Sequence, residues 1–403
     1  MHSSQLPLLP GEPRSGDQLQ SGYDLIVVGG GIYGAWTTLV ASLRGLRVAL
    51  LERRGWASGT SCASSKLIHG GLRYLEHGDL GLVRKSLQER SRLLRQAPHR
   101  VRPLRFVVPV TRSSRLGSLR LTLGLAIYDA LAGNLAGVEP ARRWERSELL
   151  SGAPFLAASE LTAGFTYGDA GTDDAALVRD VVAAAQARGA TCCTATPVAA
   201  LDRRAGRVQG VELEDGRRIQ AAMTVLCAGP WAFRLAGLDP QAHARFTKGV
   251  HLELPPLPVG APFSVADTAF LLTAPQDGRV FFLIPWRGGT LVGTTDTEHP
   301  ADADAVRVEP DDVSYLLAAV AANCPGLGWT PADVRRSWAG LRTLQRSDGG
   351  ASSVSREWTL LAPELGLLLP VGGKLTSARV EAERMVSRVM GEMALATRTR
   401  IEA

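Results

Sequence analysis

The feature that most constrains this chain is the stretch from Tyr23 to Glu52. It runs as apolar Asp24-Leu-Ile-Val-Val28, then Gly29-Gly-Gly31-Ile-Tyr-Gly34, an apolar stretch to Arg44, Gly45, and Arg47-Val-Ala-Leu-Leu51. The glycines match G-x-G-x-x-G where that pattern has structural meaning, after a strand and at the opening of a helix, with acidic Glu52 closing the next strand. Glycines there let the backbone close on a pyrophosphate held by helix N-terminal amides, while the carboxylate accepts a ribose hydroxyl. The stretch therefore predicts a Rossmann-type βαβ unit holding a dinucleotide through Gly29, Gly31, Ile32, Gly34 and Glu52. It does not by itself separate FAD from NAD.

The chain has 403 residues, 45% hydrophobic and 21% charged, enough for two or three cores of an α/β protein. The net charge of +6 is concentrated: eight basic residues against Glu89 alone lie between Leu82 and Arg105. A solvated helix face accounts for such a stripe, and no zinc-finger, RNP-type or aromatic-interleaved pattern turns it into a nucleic-acid site. The five cysteines include no C-x-x-C pair, which excludes that kind of zinc or redox site and points to a reduced, cytoplasmic setting. The first 22 residues lack a signal peptide's basic start and apolar core and read as a flexible leader, and no apolar run of 18 residues predicts a membrane span.

Further elements follow from periodicity and punctuation. A helix is expected over 80–96, a strand over 106–110, and a helix capped by Thr172 that reaches Arg188. A meander spans 191–227, a purely antiparallel passage spans 270–298, a helix lies near 311–323, and a last helix covers 375–394. Two segments bear on the cofactor. Thr224-Val-Leu-Cys-Ala-Gly-Pro-Trp231 is an apolar strand ending in the tight Ala228-Gly229 turn, suited to passing beneath a dinucleotide. Leu367-Leu-Leu-Pro-Val-Gly-Gly-Lys-Leu-Thr376 is a strand, a Gly-Gly turn and a helix start, whose amides favour negative charge on a reduced flavin.

Thr60-Ser-Cys-Ala-Ser-Ser-Lys-Leu-Ile-His-Gly-Gly-Leu-Arg-Tyr-Leu-Glu76 closely resembles the signature of the FAD-dependent glycerol-3-phosphate dehydrogenases. The likeness continues in Ala97-Pro-His99, Phe165-Thr-Tyr167, Thr172-Asp-Asp-Ala-Ala-Leu-Val178, Lys248-Gly-Val-His251, Ile284-Pro-Trp286, Val292-Gly-Thr-Thr-Asp296, Trp338-Ala-Gly-Leu-Arg342 and Gly372-Gly-Lys-Leu-Thr376. It covers roughly 23–390. The resemblance implies a D-amino-acid-oxidase-like α/β flavoenzyme with FAD as cofactor. It would oxidise sn-glycerol 3-phosphate to dihydroxyacetone phosphate and pass electrons to a quinone. By the same likeness Arg53, Thr60, Ser61, Ser64, Ser65, Lys66, Leu67, His69, Ala228, Gly229, Gly373, Lys374, Leu375 and Thr376 join the dinucleotide residues at the cofactor.

A phosphate dianion needs convergent cations, and Arg73, Arg342 and Lys374 stand in the matching motifs. Tyr74, Thr295, Asp296 and Arg356 complete the substrate set. Alcohol oxidation also needs a base for the hydroxyl proton, a role that neutral histidine fills near pH 7; His69 and His251 are the candidates, with His251 preferred. No metal-ligand cluster is present in the sequence. Arg112, Arg115 and Arg120 before Leu121-Thr-Leu-Gly-Leu-Ala-Ile127 suit a peripheral membrane contact or, equally, a buried helix.

The expected architecture is a discontinuous FAD-binding domain (23–95, 151–245 and 338–395) with an inserted antiparallel-sheet substrate domain (96–150 and 246–337). The chain departs from the family in ending at Ala403, without the family's further helical domain, and in carrying Ala378 where an aromatic residue usually precedes Arg379. Assembly, with a homodimer as one expectation, and acceptor are open on this reading. The rivals are an oxygen-using flavin oxidase acting on another hydroxy acid, amine or polyol phosphate, and a flavin-binding module without turnover.

Overall fold

The structure, a computed structural model, describes residues 19–112, 114, 117–133, 138–300, 302–345 and 358–402, without the side chains of 73, 76, 77 and 396–402. Its first part contains β1 Gly22–Val28, α1 Ile32–Leu43, β2 Val48–Leu51, β3 Leu67–Ile68, α2 Leu80–Gln96, β4 Val101–Thr111, α3 Ser118–Ala132, β5 Arg142–Glu145 and α4 Arg146–Gly152. The middle contains β6 Leu161–Thr172, α5 Asp174–Gln186, β7 Thr191–Cys193, β8 Val198–Arg204, β9 Arg207–Leu213, β10 Arg218–Leu226, α6 Ala232–Ala236, α7 Pro240–His243 and β11 Ala244–Leu254. The last part contains β12 Thr268–Thr273, β13 Val280–Trp286, β14 Gly289–Gly293, β15 Thr297–Glu298, α8 Pro310–Asn323, β16 Arg336–Gln345, β17 Trp358–Glu364, β18 Leu367–Gly372 and α9 Ala378–Glu402.

Among the described residues the strands form two sheets. The first has the order β17-β18-β10-β1-β2-β7, with β9 also on β10 and β8 on β9. Its centre is parallel, as crossover helices require. Alternation along β1 explains its position: Leu25 and Val27 enter a core with α1, α5 and α9, while Ile26 and Val28 enter the core on the opposite face. The second sheet has the order β15-β11-β14-β13-β12-β4-β6-β3, with β16 on β11 and β5 on β6. The expected passage 270–298 is antiparallel throughout, whereas β12 meets β4 in parallel. Strands β3, β6 and most of β16 pair in this second sheet although the expected FAD-binding stretches 23–95, 151–245 and 338–395 hold them, because the ladders of β6 with β3 and β4 and of β16 with β11 decide their place.

Three local expectations are corrected. Asp173, not Thr172, caps α5: its carboxylate accepts the Ala176 N–H at 3.0 Å, while Thr172 is still paired with Val101 in β6. The last helix starts at Ala378, three residues late, because Leu375–Ser377 form a separate turn. The basic stripe is only partly a solvated face. Arg90 is fully buried and donates to Asp169 at 2.8 Å, while exposed Arg84, Arg92 and Arg95 fit the expectation.

Candidate active site

Two cavities that share a wall lie where the sheets meet. The first, about 380 Å³, follows the carboxyl ends of β1, β2 and β10. Gly29 there takes φ +107°, and a Cβ would sit 2.6 Å from the Cys227 carbonyl oxygen, so the turn can be made only without a side chain. Glu52 ends β2 with one carboxylate oxygen accepting the Gly30 N–H at 2.7 Å and the other the Arg54 N–H at 2.8 Å. The opening amide of α1, Ile32 N–H, meets Ser61 Oγ at 2.9 Å. A helix N-terminus, a side-chain-free turn and a strand-end carboxylate are the donor and acceptor set a dinucleotide requires.

Most expected cofactor residues line this cavity: Gly29, Gly31, Ile32, Glu52, Arg53, Thr60, Ser61, Ser64, His69, Ala228, Gly229, Gly373, Lys374 and Leu375. Five others do different work. Gly34 packs helix on strand, since a Cβ there would lie 1.9 Å from Gly29 O. Ser65, Leu67 and Thr376 line the second cavity. Lys66 lines neither: its ammonium is buried 2.7 Å from Asp174, which also accepts from Ser64 Oγ. Tyr33, Arg54, Ser58, Thr196 and Trp231 line the cofactor cavity without having been singled out. Thr196 could not be read from sequence, because pairing of β7 with β2 brings it there; for Trp231 a signal existed, directly after the Ala-Gly turn.

The second cavity, about 280 Å³, shares Thr60, Ser64, His69, Tyr74, Arg342 and Lys374 with the first. Arg342 projects from β16 and donates to Thr294 Oγ1 at 2.8 Å and to Asp296 at 3.0 Å. Lys374 Nζ stands 3.7 Å from the Tyr74 ring centroid. Alternation along β11 sends Val250 and Leu252 into the core and His251 to this cavity. His251 Nε2 lies 2.9 Å from Ser65 Oγ, and its ring stacks on Trp338 with centroids 5.9 Å apart. Burial first, then the nearby Arg342 and Lys66 charges, hold its pKa well below the ordinary histidine value, so the imidazole is neutral.

Of the neighbours Thr294 and Thr295, Thr294 lines this cavity. Thr295 instead accepts the Val250 N–H at 3.0 Å through Oγ1 and braces β11. Asp296 lines the cavity, as does Arg279, which the sequence reading did not single out. Arg356 and the side chain of Arg73 lie outside the described residues. Among those described, no group of three His, Cys, Asp or Glu could hold a metal.

A family model for FAD-dependent oxidoreductases matches residues 24–379. The chain belongs to this family. The FAD-dependent oxidoreductase is 34% identical over 382 residues to the aerobic glycerol-3-phosphate dehydrogenase of Bacillus subtilis (strain 168), covering 93% of this chain and 68% of that protein. It is 37% identical over 381 residues to the D-erythritol 1-phosphate dehydrogenase of Brucella abortus (strain 2308), covering 91% of this chain and 73% of that protein. The FAD-complexed glycerol-3-phosphate dehydrogenase of Bacillus halodurans superposes with a TM-score of 0.75 at 30% identity, covering 94% of this chain and 66% of that one. The chain thus spans about two thirds of the length of those two glycerol-3-phosphate dehydrogenases. FAD is the cofactor, and the first cavity offers the residues to hold it.

Proposed function

We propose that this FAD-dependent oxidoreductase oxidises sn-glycerol 3-phosphate to dihydroxyacetone phosphate and passes the electrons to a quinone. The observation that carries the reading is one cavity wall bearing the Arg342 and Lys374 cations beside neutral, buried His251, on the border of the cofactor cavity. Bound FAD supplies the hydride acceptor at N5. The two cations orient the phosphate, with Arg73 and Arg356 as further proposed contacts, and each charge-assisted bond contributes roughly 1.5–3 kcal/mol. The Nε2 lone pair of neutral His251 faces Ser65 Oγ, so the hydroxyl proton passes through that serine: Ser65 Oγ gives its proton to Nε2 and takes the substrate's as the C–H hydride leaves, producing the ketone. Packing of Trp338 on the ring holds its plane and keeps water from it.

The proposal includes a discontinuous two-domain division, with β3, β6 and β16 counted with the substrate sheet and that sheet covering the flavin face. For the acceptor side, α3 buries Leu121, Leu125 and Tyr128 and exposes Leu119, Leu123 and Ile127, with Arg112 and Arg120 exposed nearby. This surface supports peripheral contact with the inner face of an anionic membrane, where a quinone is met. No helix of the described residues is long and apolar enough to cross one.

A second reading is favoured by the Brucella relative: a four-carbon polyol phosphate as substrate, oxidised by the same residues. The test is anaerobic mixing of the holoenzyme with glycerol 3-phosphate, erythritol phosphate and unphosphorylated glycerol, following loss of the oxidised-flavin band. Fast bleaching by glycerol 3-phosphate alone is expected. Faster bleaching by the four-carbon phosphate moves the assignment to the second reading, and a flavin that none of them bleaches overturns both.

A further inference from the structure

The turn that carries Lys374 is held from the first helix. Gly372 and Gly373 take φ of +80° and +91°. An aromatic side chain reaches this turn from α1. Tyr33 Oη accepts the Lys374 N–H at 3.1 Å and donates its own proton to Glu381 Oε2. A Cβ built on Gly373 would lie 1.7 Å from Tyr33 Oη, so the phenol requires glycine at that position. Glu381 is buried on α9 and accepts from Lys85 Nζ of α2 at 3.2 Å on its other oxygen. One phenol therefore ties the cofactor turn to three helices. Burial first, then the Glu381 carboxylate, raise the Tyr33 pKa far above the phenol value, which keeps the hydroxyl a donor at every working pH.

We propose that Tyr33 is a positioning residue for the substrate cation: its phenol fixes the Lys374 backbone, and through it the ammonium that meets the substrate's phosphate. The inference rests on the polyol-phosphate reading above. Its physical ground is that a lysine has a flexible four-carbon stem, so the position of its charge depends on how firmly its backbone is held. Without the phenol, the Lys374 N–H and a Glu381 oxygen lose a partner at the same point.

Tyr33→Phe keeps the ring and removes Oη. The holoenzyme and the variant are titrated with inorganic phosphate, following perturbation of the flavin absorption band, and FAD content and steady-state rates with glycerol 3-phosphate are measured beside it. Phosphate binding weakened about tenfold, a comparable rise in KM, a kcat lowered less than threefold and full FAD content are expected, the size of one lost hydrogen bond on a binding group. A lower melting temperature with phosphate binding and KM within twofold of the parent protein overturns the proposal and leaves Tyr33 as packing. Should Tyr33→Phe lose FAD, Glu381→Gln carries the same test: it keeps the shape but weakens the hold on the phenol, so phosphate binding should fall at least twofold, and unchanged binding overturns the proposal. A parent flavin that responds to phosphate but is not bleached by glycerol 3-phosphate rejects the substrate reading alone. One that does not respond to phosphate rejects the role of Lys374 and this inference with it.

Discussion

His251 shows how one residue's chemistry depends on what surrounds it. The side chain is 2% exposed and faces Ser65 Oγ, the Trp338 ring and the Arg342 and Lys66 cations. Burial and both positive charges disfavour imidazolium, so the folded pKa is depressed. The sign follows directly: the unfolded chain binds the proton at higher pH than the folded one, so this residue's stabilisation is complete above about pH 6.5 and is lost as pH falls toward the depressed value. The rate of flavin reduction at saturating glycerol 3-phosphate should accordingly be level from pH 8 through 6.5, with its acid limb below that. His251→Gln should lower this rate by about 10²–10⁴, the usual worth of a general base. Ser65→Ala should lower it toward the level of the Gln variant, since it breaks the proton's path to Nε2. A limb centred on the ordinary histidine value, or a Gln variant that reduces at the parent rate, assigns the proton to another group. The sequence pointed to His251 through its motif. It gave no sign of Ser65 as the partner, because the two are 186 residues apart and meet only once β11 and the loop after β2 are folded.

At the scale of elements, legibility divides by range. The βαβ unit was readable because each of its signals is local: alternation in β1, a glycine turn, a glycine stop after α1 and a strand-end Glu52. Helix α2 was placed at both ends by its apolar period and the following proline. Partners that arrive from afar were not readable. Lys66 carries a cofactor motif yet is drawn to Asp174, and Arg90 belongs to a basic stripe yet is buried against Asp169, which also binds the Tyr128 hydroxyl and the Gly70 N–H. A charge read along the chain cannot reveal a buried counter-charge 79 or 108 residues away. The same limit left α3 open between a core helix and a membrane face; the structure gives it one buried face, with Leu121, Leu125 and Tyr128 inward, and one exposed apolar face, with Leu119 and Leu123 84% and 63% exposed, on which the proposed membrane contact rests. Replacing Leu119 and Leu123 by Glu on this face should cut binding to vesicles rich in phosphatidylserine at least tenfold, since it removes apolar contact and adds repulsion. Binding of the parent protein should also weaken with salt through the basic residues. Equal vesicle sedimentation of parent and variant would place the membrane contact elsewhere.

Across the whole molecule, the cofactor cavity is the joint between the two sheets. Its floor comes from β1, β2 and β10, and its far wall from β16, whose Leu341 carbonyl accepts the Thr60 hydroxyl at 2.8 Å. Polar ties cross the same boundary: Arg287, after β13, meets Asp173 at the start of α5 at 3.0 Å, and buried Lys66 holds Asp174 beside it. A ligand that touches both walls binds only when the sheets are docked, so its binding free energy adds to the cohesion of the pair. At FAD concentrations one hundred times the dissociation constant the added stability is about 2.7 kcal/mol. Calorimetry should therefore show one transition for the holoenzyme, rising by several degrees with added FAD. FAD-stripped protein should melt lower, with a broader or split transition in which the sheets no longer unfold together. The outcome depends on whether the sheets share a cooperative unit without the ligand: a melting point indifferent to FAD would mean that direct contacts alone dock them, and the cavity would then be a preformed cleft whose walls gain nothing from the flavin.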